Sequence, residues 1–213
     1  MTTATVFIVD DDAGIRSSLA LLMETDQLQS ACFASADAFL AACSPNPAGC
    51  LILDVRMPGM SGLQLQDELA LRNINLPIIF LTGYADVPMT VGAMRKGAVD
   101  FLTKPINGGQ LLALVHSALE TDRLQREAAA ARAQFEARLL QLTPREREVL
   151  VLALSGMPNK TISKELTISV RTIEGHRARI FLKLGLDSLI ELAQQAANVG
   201  MPLADITSLS RPQ

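Results

Sequence analysis

A chain of 213 residues, 49% of them hydrophobic, makes one large or two small domains with ample core. Its formal net charge of −3 argues, over the whole length, against a nucleic-acid partner. The charges are unevenly spread, however: residues 1–110 hold 6 Lys/Arg against 11 Asp/Glu and residues 141–190 hold 8 against 5, which predicts an acidic and a basic module with different partners.

In chain order, the opening MTTATVFIVDDD has no basic leader, its apolar run is five residues, and nowhere do about 18 apolar residues follow one another. A soluble, intracellular protein with no membrane partner is expected. The first 120 residues then alternate β-rich runs, TVFIV (5–9), QSACF (29–33), CLILD (50–54), PIIFLT (77–82) and VDFLTK (99–104), with helix-period stretches. Those stretches are GIRSSLALLMET, ADAFLAAC, GLQLQDELAL, VPMTVGAMRKG and NGGQLLALVHSALE. Near-continuous apolar strands alternating with helices predict an α/β fold, a doubly wound five-stranded parallel sheet covered on both faces. Cys32, Cys43 and Cys50 have no metal-ligand spacing and are read as small apolar fillers in a reducing compartment.

In such a sheet, ligands sit at the carboxyl ends of the strands. Asp10, Asp11 and Asp12, Asp54, Thr82 and Lys104 all fall at or just after such ends. Carboxylates brought together repel unless a hard cation lies between them, and Mg²⁺ prefers a few such oxygens plus water and phosphate. A lysine ammonium and a threonine hydroxyl would complete a cradle for a phosphoryl group. Asp54, the central acid, suits the role of a nucleophile that forms an aspartyl phosphate.

VDDDAGIR, LDVRMPGMSG, the Thr of FLTGY and DFLTKP resemble, in order and spacing, the receiver domain of two-component response regulators over about the first 120 residues. The resemblance implies that Asp54 is the phosphoacceptor and that Mg²⁺ is bound by Asp11, Asp54 and the backbone carbonyl of Arg56, with Asp10 acting through water. It implies phosphoryl contacts from Thr82 and Lys104, a switch role for Phe101, and a cis bond at Lys104-Pro105. Asp12, the position after the acidic pair, lies outside the direct shell.

Residues 110–141 are rich in Ala, Leu, Arg, Glu and Gln and predict one long helix leaving the first domain. Its apolar positions Leu124, Ala128, Ala131, Phe135, Leu139 and Leu142 keep helical spacing, as a packed or pairing face would. Thr143-Pro144 followed by Glu146 is an N-cap, N1-proline and capping-box pattern. Helices at about 159–166 and 170–184 around a tight turn at 167–169 make a helix-turn-helix. On the second of these, Ile173, Ile180 and Leu184 line one face with the stem of Arg177. The other face is small in its middle and basic at its edges, as entry into a major groove needs. Arg171, Thr172, Glu174, Gly175, Ala178 and Arg179 are the candidate DNA contacts there, with Leu182 on the same face and Asn159 and Lys160 placed for phosphates.

REREVLVLALSGMPNKTISKELTISVRTIEGHRARIFLKLG resembles the LuxR/NarL helix-turn-helix over about 60 residues. With the receiver and DVPMTVGAMRKGAVDFLTKP, the chain looks most like the FixJ group. Glu174 stands where many relatives carry a lysine; an acid there can accept from cytosine N4 but cannot hold phosphate. SLIELAQQAA (188–197) resembles the helix through which two such modules dimerise. The expected organisation is a receiver at 1–119, a linker helix at 120–141 and a DNA-binding domain at 142–207. The expected protein is a cytoplasmic transcriptional regulator, phosphorylated by a sensor histidine kinase, that binds double-stranded DNA and meets RNA polymerase; phosphorylation makes it a homodimer or releases its DNA-binding domain. It is no enzyme beyond a self-phosphorylating, slowly autodephosphorylating switch. A haloacid-dehalogenase-like phosphatase is the alternative, but that chemistry needs a second acid two residues after the nucleophile, where this chain has Arg56. A phosphotransfer protein needs an acceptor histidine, and the chain has only His116, with no acid beside it in sequence, and His176.

Overall fold

A computed structural model describes residues 4–83, 93, 94 and 96–209. The chain divides into two compact units, Met1–Gln125 and Arg126–Gln213.

The first unit contains β1 (Thr5–Val9), α1 (Ala13–Thr25), β2 (Gln29–Phe33), α2 (Ala36–Ala42), β3 (Gly49–Asp54), α3 (Gly62–Leu71), β4 (Ile78–Thr82) and β5 (Asp100–Thr103). The five strands form one parallel sheet in the order β2-β1-β3-β4-β5. The fourth helix expected at about 86–96 lies outside the described residues for most of its length. Every residue of β3 and of β4 is buried, because these strands are covered on both faces. Leu51 and Leu53 join Phe39, Leu65 and Phe80 on one face. Cys50 and Ile52 join Leu19, Met23 and Val115 on the other. The path from β1 goes outward to β2 and then back across to β3, so the order of strands reverses between β1 and β3. A crevice opens at the carboxyl ends of such a pair.

Gly49 begins β3 at φ +138°, and a Cβ there would lie 1.8 Å from the Thr5 carbonyl oxygen. Only glycine lets β3 approach β1 this closely. The Gly49 N–H donates to the buried Asp122 carboxylate at 3.0 Å, and burial together with the Asp122 charge pushes the Cys50 thiol up to about 12. The reading of the cysteines as small apolar fillers fits Cys50, which is buried, and Cys43, which is half-buried and packed against the core, but not Cys32, which is exposed. Cys32 sits on β2, an edge strand with less of the sheet's covering.

Helix α4 (Gly108–Leu140) runs for 33 residues, about 50 Å at 1.5 Å per residue. Its apolar spacing serves two fates: Phe135 and Leu139, with Leu142 beyond the helix end, are in the second unit's core, whereas Leu124, Ala128 and Ala131 are exposed. Among the described residues no helix is long and apolar enough to cross a membrane.

The second unit continues with α5 (Pro144–Leu154), α6 (Asn159–Glu165), α7 (Val170–Leu184), α8 (Leu189–Asn198) and α9 (Leu203–Leu209). Thr143 caps α5 in the expected reciprocal box with Glu146. Ile173, Ile180 and Leu184 of α7 are buried with Val149, Leu150 and Ile162. Helix α9 was not anticipated, since seven residues give too short a window for a period, yet its Ile206 is in the core.

Candidate functional site

Asp54 ends β3, the central strand, and is buried, with a relative exposure of 6%. Asp10 follows β1 and is fully buried, while Asp11 is exposed. Each of the three carboxylates offers an oxygen within 4.8 Å of the others. The β1/β3 crevice makes this meeting possible, since Val9 pairs with Leu53 and so sets the two strand ends level. Lys104, just after β5, reaches across: its Nζ lies 2.8 Å from Asp10 Oδ2 and 3.1 Å from Asp54 Oδ1. Its backbone N–H donates to the Thr82 carbonyl at 2.8 Å, and the Lys104-Pro105 bond is cis as expected.

Burial raises the Asp54 carboxyl above the usual aspartate range; the Lys104 ammonium opposes this, and the Asp10 and Asp11 charges add to it. Burial also works against the Lys104 ammonium, but hydrogen bonds to Asp10 and Asp54 outweigh it and hold the amine above its ordinary value. Both Asp10 oxygens are engaged, one by Lys104 and the other by the Asp12 N–H at 2.9 Å. Arg16 Nη1 donates to the Asp10 carbonyl at 2.7 Å. Asp12 is taken up elsewhere, capping α1 by accepting from the N–H groups of Gly14 and Ile15 at 2.7 and 3.2 Å. Three carboxylates facing a single ammonium keep an excess of negative charge, and this all-oxygen set suits a hard divalent cation.

Thr82 ends β4 and is buried. Phe101 on β5 pairs in register with Phe80, their rings stacked 4.8 Å apart. Arg56 is exposed beyond the strand end. His116 has no acid beside it in sequence but meets one in space: its Nε2 lies 2.5 Å from Asp26 Oδ2. Asp26 caps the carboxyl end of α1, at the opposite edge of the sheet from Asp54, so this pair is separate from the acid cluster.

In the second unit, Thr167 takes a left-handed conformation in the turn and Ser169 caps α7. Thr172 has its hydroxyl 2.7 Å from that of Ser169. Asn159 accepts from Arg177 at 3.0 Å, which ties this expected backbone contact into the protein. The cations fall into two groups. Arg138, Arg147 and Lys183 bond carbonyls around the α4–α5 junction and the end of α7, and Arg145 binds Glu148 and the Leu166 carbonyl. Lys160, Lys164, Arg171 and Arg179 are exposed and have no hydrogen bond or ion pair among the described residues. Lys164 was missed in the sequence, although its spacing of four from Lys160 on α6 signals one helix face. Glu174, Ala178 and Leu182 are exposed on α7, with Gly175 half-buried beside them.

The model of the response regulator receiver domain matches residues 6–116, and that of bacterial regulatory proteins of the luxR family matches residues 140–196. The chain is 42% identical over 200 residues to nodulation protein W of Bradyrhizobium diazoefficiens, covering 94% of this chain and 88% of that one. It is equally 42% identical over 200 residues to the transcriptional regulatory protein FixJ of Azorhizobium caulinodans, covering 94% and 95%. The low-resolution structure of response regulator StyR superposes with a TM-score of 0.82 at 38% identity over 98% of both chains.

Proposed function

The chain belongs to the response regulators that join a receiver to a LuxR-type DNA-binding domain and is a transcriptional regulator, and from this premise we propose that it is switched by phosphorylation of Asp54. The observation that carries the proposal is the bridge from Lys104 Nζ to Asp10 and Asp54 beside the Asp11 carboxylate. It holds a buried nucleophile and a phosphate-binding cation in one crevice. The donor is the phosphohistidine of a partner sensor kinase. A carboxylate oxygen of Asp54 attacks phosphorus, the P–N bond breaks as the P–O bond forms, and the imidazole leaves with a proton from solvent.

Asp11, Asp54 and the Arg56 carbonyl would hold Mg²⁺ directly and Asp10 through water, a division supported by the engagement of both Asp10 oxygens. When bound, the ion neutralises charge that develops on the phosphoryl oxygens. Lys104 binds one of those oxygens and the Thr82 hydroxyl turns inward to another. Phe101 follows Thr82 and re-forms the surface of β5 and of the helix expected at 86–96. The altered surface pairs two chains or releases the DNA-binding domain. The receiver is assigned to residues 1–119, the linker to 120–141 and the DNA-binding domain to 142–207.

Lys160, Arg171, Thr172, Glu174, Gly175, Ala178 and Arg179 are the proposed DNA contacts. Lys160, Arg171 and Arg179, which have no hydrogen bond or ion pair among the described residues, support this placement, because phosphate neutralisation needs free positive charge. The regulator acts in the cytoplasm, on double-stranded DNA and with RNA polymerase, and its only chemistry is its own phosphorylation and slow dephosphorylation. The test is incubation with a small acyl phosphate and Mg²⁺, followed by intact-mass analysis. Wild type gains one phosphoryl group and Asp54→Asn gains none; equal labelling of the two removes Asp54 as acceptor.

A further inference from the structure

We propose that Leu182 reads the C5-methyl group of thymine in the major groove, so that this protein's half-site is chosen partly by an apolar contact. The inference rests on the DNA-binding reading above. Leu182 is 82% exposed on α7. A single exposed leucine is ordinary; its position on this helix is what gives it meaning. At 100° per residue, Arg171, Gly175, Ala178 and Arg179 lie within about 60° of it around the helix, and Ile180 lies nearly opposite. Ile180 is buried in the unit's core, so Leu182 stands at the outermost line of the helix.

Gly175, Ala178 and Leu182 follow at spacings of three and four, which makes one narrow apolar strip on an otherwise polar face. Arg171 and Arg179 stand beside the strip on α7, and Lys160 and Lys164 are exposed on the preceding helix α6; none of the four has a partner among the described residues. Free cations around an apolar strip complement a surface that is anionic at its rims and apolar within. The major groove has that character: phosphates line it, and the thymine methyl is the apolar group on its floor. From Gly175 to Leu182 the helix rises about 10 Å, or about three base-pair steps. Glycine and alanine let the backbone come close, and leucine reaches furthest where the helix begins to leave the groove.

The test uses the full chain, phosphorylated with a small acyl phosphate, and duplexes selected from a random library. Each thymine of the selected half-site is replaced in turn by deoxyuridine, which removes only the methyl group. Wild type should lose roughly three- to fourfold in affinity at one or two positions, the worth of one buried methyl group. Leu182→Ala should lose that discrimination at one of them while keeping its salt dependence, and Leu182→Met should restore it. Replacement by alanine at an exposed helical position leaves the fold intact. Uniform indifference to deoxyuridine, or an unchanged penalty pattern in Leu182→Ala, would overturn the contact. A change in oligomeric mass of Leu182→Ala would assign the side chain to a second copy and overturn it equally. Failure of wild type to bind any duplex would instead remove the DNA-binding reading itself.

Discussion

Gly62 packs so closely on Asp54 that a Cβ at Gly62 would come within 2.2 Å of the Asp54 carbonyl oxygen. Gly62 opens α3 and its N–H donates to the Val55 carbonyl at 3.0 Å, which folds the loop after β3 back onto the strand end. The obstacle to a larger residue is backbone, which cannot rotate away. Gly62→Ala should therefore destabilise the first unit by about 1–3 kcal/mol and slow phosphorylation on the order of tenfold or more by displacing the carboxylate. Urea unfolding and acyl-phosphate labelling measure the two effects, and a variant equal to wild type in both would show that the loop yields freely.

Asp54 itself should cost stability when ionised. Its folded pKa is raised, with burial as the main cause, so the folded state holds the proton more tightly than the unfolded one. Stability is therefore lost as pH rises from the ordinary carboxylate value through the raised one. Asp54→Asn, which leaves Lys104 paired with Asp10, should be more stable than wild type at pH 7 by on the order of 1 kcal/mol. The gap should close in acid, where both side chains are neutral. Chemical denaturation at pH 7 and pH 4 tests the sign, and an asparagine variant that is less stable at pH 7 contradicts it.

Removing Asp11 should separate metal binding from folding. Its carboxylate is exposed and close to two others, so its loss relieves repulsion while taking away an oxygen ligand. Asp11→Ala should weaken Mg²⁺ binding and labelling by about tenfold or more with a melting temperature no lower than wild type. Magnesium titration monitored by NMR, with melting in parallel, reads both; unchanged Mg²⁺ affinity would clear Asp11 of the role.

The Glu146 carboxylate is buried and accepts from Lys183 Nζ at 2.6 Å and from the Thr143 N–H at 2.8 Å. Burial alone would raise its pKa, but Lys183 and Thr143 outweigh burial and hold it low. A depressed carboxylate contributes stability above its unfolded pKa and loses it as pH falls through the folded one. Lys183→Met should cost about 3 kcal/mol at pH 7 by leaving a buried charge unpaired, and less in acid, where Glu146, no longer held low by Lys183, takes up a proton. A pH-independent loss would mean that the methylene stem of Lys183 matters and its charge does not.

On DNA, Lys160→Ala and Lys164→Ala should each weaken specific and random duplexes alike and lower the salt slope by about 1. Arg179→Ala should cost roughly 1–3 kcal/mol on the selected site only. Glu174→Lys should raise non-specific affinity and change the preferred half-site. Fluorescence anisotropy across a salt series distinguishes the classes; a lysine variant that loses only cognate binding would move that residue from phosphate to base contact.

Asp54, Asp10, Asp11 and Lys104 were legible in the sequence because each closes a short apolar run, and a parallel sheet brings such ends to one edge. Asp12 falls with these acids in the sequence, and its use as the α1 cap appears only in the structure. Lys164 was lost among the ordinary charges of a short helix, since a cation's lack of a partner has no signature in sequence. Helix α9 was lost for want of length, and its place depends on Ile206 reaching the second core.

What the sequence determined by itself was local: the strand runs, the capping box at Thr143, the buried stripe of α7 and the acids at the strand ends. These follow from conformational preference and periodicity, which act over a few residues. The tertiary structure alone decided which charges neutralise one another. Lys104 meets Asp10 across 94 residues of sequence and His116 meets Asp26 across 90, while the ion-pair partner of Glu146 is Lys183, 37 residues on. Crossover connections carry the chain far between strands that end side by side, and helix packing sets residues distant in sequence against each other. Electrostatic partners depend on distance through space, and that distance comes into being only when the apolar faces have packed.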